Sequence, residues 1–423
     1  MRRLEEMRAE IDRIDREMAK LFEERMALAG EVADYKKEYG LPVFDPVREA
    51  EILACAGERV SDPALAQSYR TFQGQVMRIS RNHQHKKLDD LYTVTDEGGY
   101  PITIGRGAIR RVGELCDLRR RVLIVSDSGV PASYREAVAA QCKHAVLAVV
   151  PQGETSKAPA VLEKLHAVML EQGFTRRDCV VAVGGGVVGD LAGFAAATYM
   201  RGVDFINLPT TLLAQVDSSV GGKTAINLRG VKNPVGVFKQ PTHVIVDPDV
   251  LATLDPRDFR AGLAEAIKMA ATHDPDLFAL IEQNDPHEMI AAIIRRSIEI
   301  KMQVVEADEK EGDLRRVLNF GHTVGHAVEA LSEGSLRHGE CVAIGTLYFA
   351  GGAAKERLTA LYHKVGLPTK TVYDPDQLIA AIRHDKKAAG NAVTCVQVDE
   401  IGQFTLQELT WEELSARIRG EGV

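Results

Sequence analysis

Three histidines and a carboxylate offer the strongest chemistry in this chain. In Leu318-Asn319-Phe320-Gly321-His322-Thr323-Val324-Gly325-His326, the two histidines stand one helical turn apart and share a face. His338 follows in Arg337-His338-Gly339-Glu340, and the upstream run Gly262-Leu263-Ala264-Glu265-Ala266-Ile267-Lys268 supplies Glu265 and, a turn later, Lys268. Two imidazoles and a carboxylate with one position left open describe a catalytic divalent-metal site, unlike the closed four-ligand sets of structural zinc. The six cysteines (Cys55, Cys116, Cys142, Cys179, Cys341, Cys395) form no Cys-x-x-Cys pair. They fit buried thiols in a reducing compartment better than disulfides or a thiolate zinc site.

A second feature is backbone rather than side chain. The apolar run Val180-Val181-Ala182-Val183 leads into Gly184-Gly185-Gly186-Val187-Val188-Gly189-Asp190, a G-x-G-x-x-G sequence between a strand and a helix. Glycines let the chain approach a pyrophosphate, and the helix N-terminus favours its charge. A tight packing turn has the same pattern, so the motif alone leaves both readings open. Support comes from Asp127, at the end of an earlier strand and placed to meet a ribose. Pro151 to Lys157, with Glu154 inside it, and Pro209-Thr210-Thr211 follow other strand ends, where ligands collect in open α/β sheets. Asp190 and Lys232 are assigned to the same dinucleotide-binding set.

Nearer the front, the informative residues are cations and amides. Arg25 and Lys36 are eleven apart, which at 100° per residue returns them to one helix face. Ser80 and Gln84 share another. Asp45-Pro46-Val47-Arg48-Glu49 places an arginine beside carboxylates at a helix start. Singly, each reads as part of a solvated charged face.

The elements that must position these groups are legible in outline. Leu4, Met7, Ile11, Ile14, Met18 and Leu21 recur at steps of three and four, continuing through Leu28, Val32 and Tyr35 until Gly40-Leu41-Pro42. A helix of about 35 residues is about 50 Å long. The short helices predicted after it, Pro46 to Arg59 and Pro63 to about Lys87, cannot cover that length, so a second copy and a homodimer are expected. Residues 89–99 read as a linker ending in Asp96-Glu97-Gly98-Gly99. Beyond it, apolar runs at Val122–Val125, Ala145–Val150, Val180–Val183, Phe205–Leu208 and His243–Val246 alternate with helices, the signature of a parallel sheet buried on both faces. From Pro256 onward the texture is helical, with a small hairpin at Val393 to Phe404. The expected domains are 1–88, all-α; 100–255, α/β; and 256–423, mostly helical.

With 423 residues, 45% hydrophobic and 26% charged, the chain reads as a globular protein of several domains. A net charge of -8 argues against nucleic acid as a partner. The charged start Met1-Arg2-Arg3-Leu4-Glu5-Glu6 has no apolar segment behind it, and no run approaches the ~18 residues of a membrane span, so a cytoplasmic protein is expected.

Two family resemblances gather these features. Leu4 to Asp12, Arg25-Met26-Ala27-Leu28, Tyr35-Lys36 and Val47 to Glu51 resemble the all-helical chorismate mutases. The resemblance implies a site shared by two intertwined subunits. Arg25, Arg48 and a partner's Arg8 would hold the substrate carboxylates with help from Ser80. Lys36 and Gln84 would meet the ether oxygen, and Glu49 and Asp45 the hydroxyl. Such a rearrangement needs no nucleophile or cofactor, only a dianion held in its reactive conformer and charge stabilised at the breaking bond. A regulatory sensor or a dimerisation module is the alternative for this domain.

Val216 to Thr224, Lys232-Asn233-Pro234-Val235-Gly236, Ala264-Glu265 with Lys268, and Leu318 to His326 resemble the 3-dehydroquinate synthases, from about Tyr92 to the end. This implies that Glu265, His322 and His338 ligate zinc or cobalt, and that His326 is a non-ligand acid/base or phosphate-side residue. Asp217, Lys223, Asn233, Lys268, Lys301, Glu311, Arg315 and Asn319 would line the substrate site. A lysine of Lys386-Lys387, with Lys386 favoured, would close over it, and Arg201 would reach a phosphate from a neighbouring subunit. The implied reaction converts a heptulosonate phosphate to 3-dehydroquinate and phosphate with transient use of NAD and no net redox. Other sugar-phosphate cyclases and polyol dehydrogenases share this architecture and are the alternatives.

Overall fold

The apolar stripe at the front folds as one unbroken helix, Leu4–Glu38, 35 residues long, in the computed structural model. The structure describes residues 4–38, 46–88, 91–95, 99–308, 314–385 and 392–421, which divide into two units at Asp90/Leu91. In the first unit the long helix packs on the helix Ala66–Leu88, which also contacts the helix Pro46–Ala56. Short 3-10 turns at Gly57–Arg59 and Pro63–Leu65 replace the helix ends expected there, the second capped by Asp62 through the Ala64 N–H. Met26, Ala29 and Ala33 are buried against this small bundle. Leu4, Met7, Ile11, Ile14, Met18 and Leu21, by contrast, remain 43–64% exposed, so the unit leaves an apolar face uncovered.

The second unit is built on seven strands: β1 Tyr92–Val94, β2 Ile102–Ile104, β3 Arg121–Asp127, β4 His144–Val150, β5 Cys179–Gly184, β6 Asp204–Pro209 and, after a separate hairpin of β7 Lys223–Leu228 and β8 Val231–Phe238, β9 His243–Val246. Their order is β1-β2-β9-β6-β5-β3-β4. Every neighbouring pair is parallel except β1 with β2, so the sheet is mixed rather than purely parallel as expected. The antiparallel edge comes from within the stretch read as linker. Tyr92 is held there by the Arg295 guanidinium, 3.6 Å from its ring centroid, and donates its hydroxyl to Glu299 at 2.7 Å. Three residues are too few to show a strand period in sequence.

β5 is buried along its whole length, with one apolar cluster on each sheet face. The β7–β8 hairpin turns through Arg229 and Gly230, both at positive φ, the turn that matches strand twist. It was read only as site motifs, because β8 is exposed throughout and shows no in–out alternation. The remainder is helical until β10 Ala392–Gln397 and β11 Thr405–Thr410, which pair antiparallel before a final helix capped by Thr410 and Glu413. Among the described residues, no helix is long and apolar enough to cross a membrane.

Candidate metal and cofactor centre

Three helices of the second unit meet with main chain against main chain. Helix Pro256–His273 starts on an Asp255 cap with Pro256 at its first position and carries Glu265, which is fully buried. Helices His322–Leu331 and His338–Thr346 each begin at a histidine. A Cβ at Gly339 would overlap the Ala261 carbonyl, and one at Gly345 the backbone of Gly321 and Gly325. Gly321 adds a left-handed φ of 79° just before His322. Close approach therefore fixes where the histidines start relative to Glu265. Gly339→Ala is expected to cost about 1–3 kcal/mol by overpacking and to weaken zinc retention. Thermal melts with and without zinc would read both, and an unchanged melting temperature would show that the helices part without penalty.

Glu265 Oε1 lies 3.8 Å from His322 Nε2 and 3.4 Å from His338 Nε2, and one ligand atom from each residue falls within 4.8 Å of the others. The far ring nitrogens are tied back: His338 Nδ1 to Glu329 Oε2 at 2.8 Å, and His322 Nδ1 to the Phe320 carbonyl at 3.2 Å. Both partners accept, so the network assigns the proton to Nδ1 and leaves Nε2 facing Glu265. Lys268 Nζ stands 2.6 Å from Glu265 Oε2 and donates to the Leu318 carbonyl at 2.6 Å. The Glu265 contact is short, but neither Glu265 oxygen has a hydrogen bond of good geometry.

Burial alone would push Glu265 up, yet the Lys268 ammonium and the two imidazoles hold its carboxyl well below the usual range. Burial drives His322 down to about 3. It opposes charge on His338 too, but the flanking carboxylates of Glu265 and Glu329 raise that ring to about 10. A buried carboxylate without hydrogen bonds of good geometry, faced by two imidazole nitrogens, is a donor set suited to a divalent cation.

Around this point the chain gathers further charge. Lys301, buried, donates to Asp217 Oδ1 at 2.8 Å and to its carbonyl. Burial lowers the Lys301 pKa, and Asp217 supports its charge. Burial would raise Asp217, but Lys301 and Lys268 hold it below its ordinary value. Asp217 sits in a π-turn, Ala214–Ser218, a local widening of the helix that often marks a functional site. Arg315 is buried with its guanidinium over Gly221, where a Cβ would stand 2.8 Å from Nη2. Asn319, His322 and His326 line a cavity of about 670 Å³, with His326 exposed at 5.2 Å between ring centroids from His322.

The same cavity is lined by residues that sequence reading missed: Arg316, Thr394 and Glu408, with Arg316 Nη1 donating to Thr394 Oγ1 at 3.1 Å. Nothing in their spacing points to a site. Glu329 was also missed, although it lies seven residues after His322 and so on the same helix face. Lys223 is exposed on β7, and Arg201 is exposed at φ 67° with no hydrogen bond or ion pair among the described residues. Glu311 and Lys386 lie outside the described residues.

At the C-terminal ends of β3, β4, β5 and β6 the glycine turn is tight for a visible reason. A Cβ on Gly185 would stand 2.9 Å from the Thr211 methyl, one on Gly186 2.9 Å from Ser218 Oγ, and one on Gly184 would strike Val188. The Thr210 N–H bonds the Gly184 carbonyl at 2.9 Å. Lys157, buried, reaches Asp190 Oδ2 at 2.6 Å and Asn233 Oδ1 at 2.5 Å, tying the sheet to β8. Glu154 accepts from Asn227 of β7 at 2.9 Å. Asp127 takes the Gly129 and Val130 N–H groups with Oδ1, so it shapes its own turn. Lys232, assigned to the cofactor from sequence, pairs with Glu329 at 2.7 Å.

In the first unit, Arg25 Nη1 and Gln84 Oε1 are buried without hydrogen-bond partners, on two helices that pack together. Ser80 is buried, Lys36 and Glu49 are half-buried, and Arg48 is exposed with Glu51 at 3.1 Å. Arg8 is exposed 17 residues before Arg25, about 26 Å along the same helix. These two cannot meet one small ligand within a single chain. Asp45 lies outside the described residues.

Known proteins place both units. The 3-dehydroquinate synthase N-terminal and C-terminal family models match residues 147–261 and 262–388, and the chorismate mutase type II model matches 7–85. A 3-dehydroquinate synthase from Streptococcus thermophilus is 40% identical over 340 residues, covering 74% of this chain and 95% of the relative. Among solved structures, 2-deoxy-scyllo-inosose synthase complexed with carbaglucose-6-phosphate, NAD+ and Co2+ is similar with a TM-score of 0.69 at 26% identity, covering 78% of this chain and 100% of that one. 2-epi-5-epi-valiolone synthase from Streptomyces hygroscopicus subsp. jinggangensis, with NAD+ and Zn2+ bound, also gives 0.69 at 28% identity, over 77% and 98%. This chain therefore belongs to the 3-dehydroquinate synthase family and carries a chorismate mutase type II domain fused at its front.

Proposed function

We propose that the second unit converts 3-deoxy-D-arabino-heptulosonate 7-phosphate to 3-dehydroquinate and phosphate in the cavity beside Glu265, His322 and His338. These three residues would hold zinc or cobalt, and Asp127, Glu154, Lys157, Gly184, Gly185, Gly186, Asp190, Thr210, Thr211 and Lys232 would surround NAD. Bound there, the two groups supply Lewis acidity at the substrate hydroxyls and a reversible hydride acceptor. Lys268, Lys301 and Arg315 bring three cations to one substrate, matching a phosphate and a carboxylate. Asp217 keeps Lys301 aimed, Lys223, Asn233 and Asn319 add polar contacts, and His326 moves a proton at the exposed rim. Arg201 is read as serving the neighbouring subunit. Glu311 and Lys386 belong to the same reading.

The observation that carries this reading is the buried Glu265 carboxylate with both Nε2 atoms turned toward it. Metal-stripped full-length protein, given the heptulosonate phosphate and NAD+, is expected to release no phosphate until zinc is restored. Equal release before and after zinc would remove the metal from the reaction.

For the first unit we infer rearrangement of chorismate to prephenate in an intertwined homodimer. The uncovered apolar face of the long helix and the separation of Arg8 from Arg25 both support a second copy. Arg25, Arg48 and the partner's Arg8 take the carboxylates with Ser80, Lys36 and Gln84 take the ether oxygen, and Glu49 and Asp45 take the hydroxyl.

A further inference from the structure

Glu329 lies between two elements that the reaction needs held together. Its Oε2 accepts from His338 Nδ1 at 2.8 Å, and its Oε1 accepts from Lys232 Nζ of β8 at 2.7 Å. It is largely buried, and its own helix also carries His322. His326, Glu329 and His338 form a second cluster whose ligand atoms converge. In that cluster, however, His326 is exposed and the Glu329 oxygen is already taken by Nδ1 of the ring. His338 thus turns one nitrogen to Glu265 and the other to Glu329.

We propose that Glu329 is a positioning residue for the metal. By accepting the Nδ1 proton it fixes the ring plane of His338, so that a metal displacing the Nε2 proton meets a lone pair aimed at the space beside Glu265. The negative charge behind the ring makes that lone pair a better donor. Lys232 holds the carboxylate from its other side, which links β8 to the metal ligand through a single side chain. The inference rests on the reading of Glu265, His322 and His338 as ligands.

The test uses full-length, metal-stripped protein and zinc affinity measured by competition with a chromophoric chelator. Glu329→Ala is expected to weaken zinc binding about 10–100-fold. Glu329→Gln, whose amide oxygen still accepts the Nδ1 proton, should lose less. In a His338→Ala background, Glu329→Ala should change zinc affinity by no more than about twofold, because its route to the metal is gone. A carboxylate that merely supports the fold would cost the same in both backgrounds. Zinc affinity of Glu329→Ala within about twofold of the parent, or losses that multiply in the double variant, would overturn the proposal. If His338→Ala by itself leaves zinc affinity intact, the ligand reading fails first and takes this inference with it.

Discussion

Glu265→Gln in the full-length protein is expected to lower synthase turnover by at least about a thousandfold, a barrier increase of about 4 kcal/mol. The mutase rate of the same sample should stay within about twofold of the parent. Glu265 is the anionic member of the ligand cluster, and an uncharged amide of the same shape leaves two neutral imidazoles to hold a dication. Lewis-acid stabilisation of an oxyanion is worth several kcal/mol, so its loss dominates the effect. Lys268 loses its carboxylate partner but keeps the Leu318 carbonyl, which limits the damage to the fold. Zinc content, phosphate release and chorismate absorbance on one preparation separate the outcomes. A variant that lost its zinc yet kept its turnover would remove Glu265 from the chemistry.

The second large effect belongs to the front of the chain. Arg25→Ala should reduce mutase turnover about 10²–10³-fold, the loss that follows removal of one charge-stabilising donor, while phosphate release by the synthase is unchanged. Burial pushes the Arg25 guanidinium below its ordinary pKa, and its Nη1 has no hydrogen-bond partner. A buried guanidinium nitrogen without a partner among the described residues is a stability cost that an anionic ligand removes. The variant should therefore melt no lower than the parent, whereas an arginine serving the fold would lower the melting temperature when lost. Parent-like mutase activity in Arg25→Ala would exclude it from the site.

Helices with a sustained 3.6-residue period, Leu4–Glu38 above all, were legible because their pattern repeats over many turns. So were the buried strands β3, β5 and β9, each of which carries a continuous apolar run. The residues that converge near Glu265 were legible as types, since histidine spacing on one helix shows a shared face. Their convergence was not, because Glu265 and His338 are brought together by glycine contacts between distant segments. β1 was too short to register, and the β7–β8 hairpin lacks the alternation that burial of one face would impose. The pairing of Lys232 with Glu329 was not legible either, since the two are 97 residues apart.

The main-chain contacts at Gly339 and Gly345 have a consequence for how such a site can change. Where backbone touches backbone there is no side chain to exchange, so the ligand-bearing helices can be retained or lost but hardly retuned. Any change in what the site accepts is then left to side chains that line the cavity, among them Arg316 of the turn Leu314–Asn319 and Thr394 and Glu408 of the β10–β11 hairpin. The frame is main chain; only the side chains that face the cavity can be exchanged one at a time.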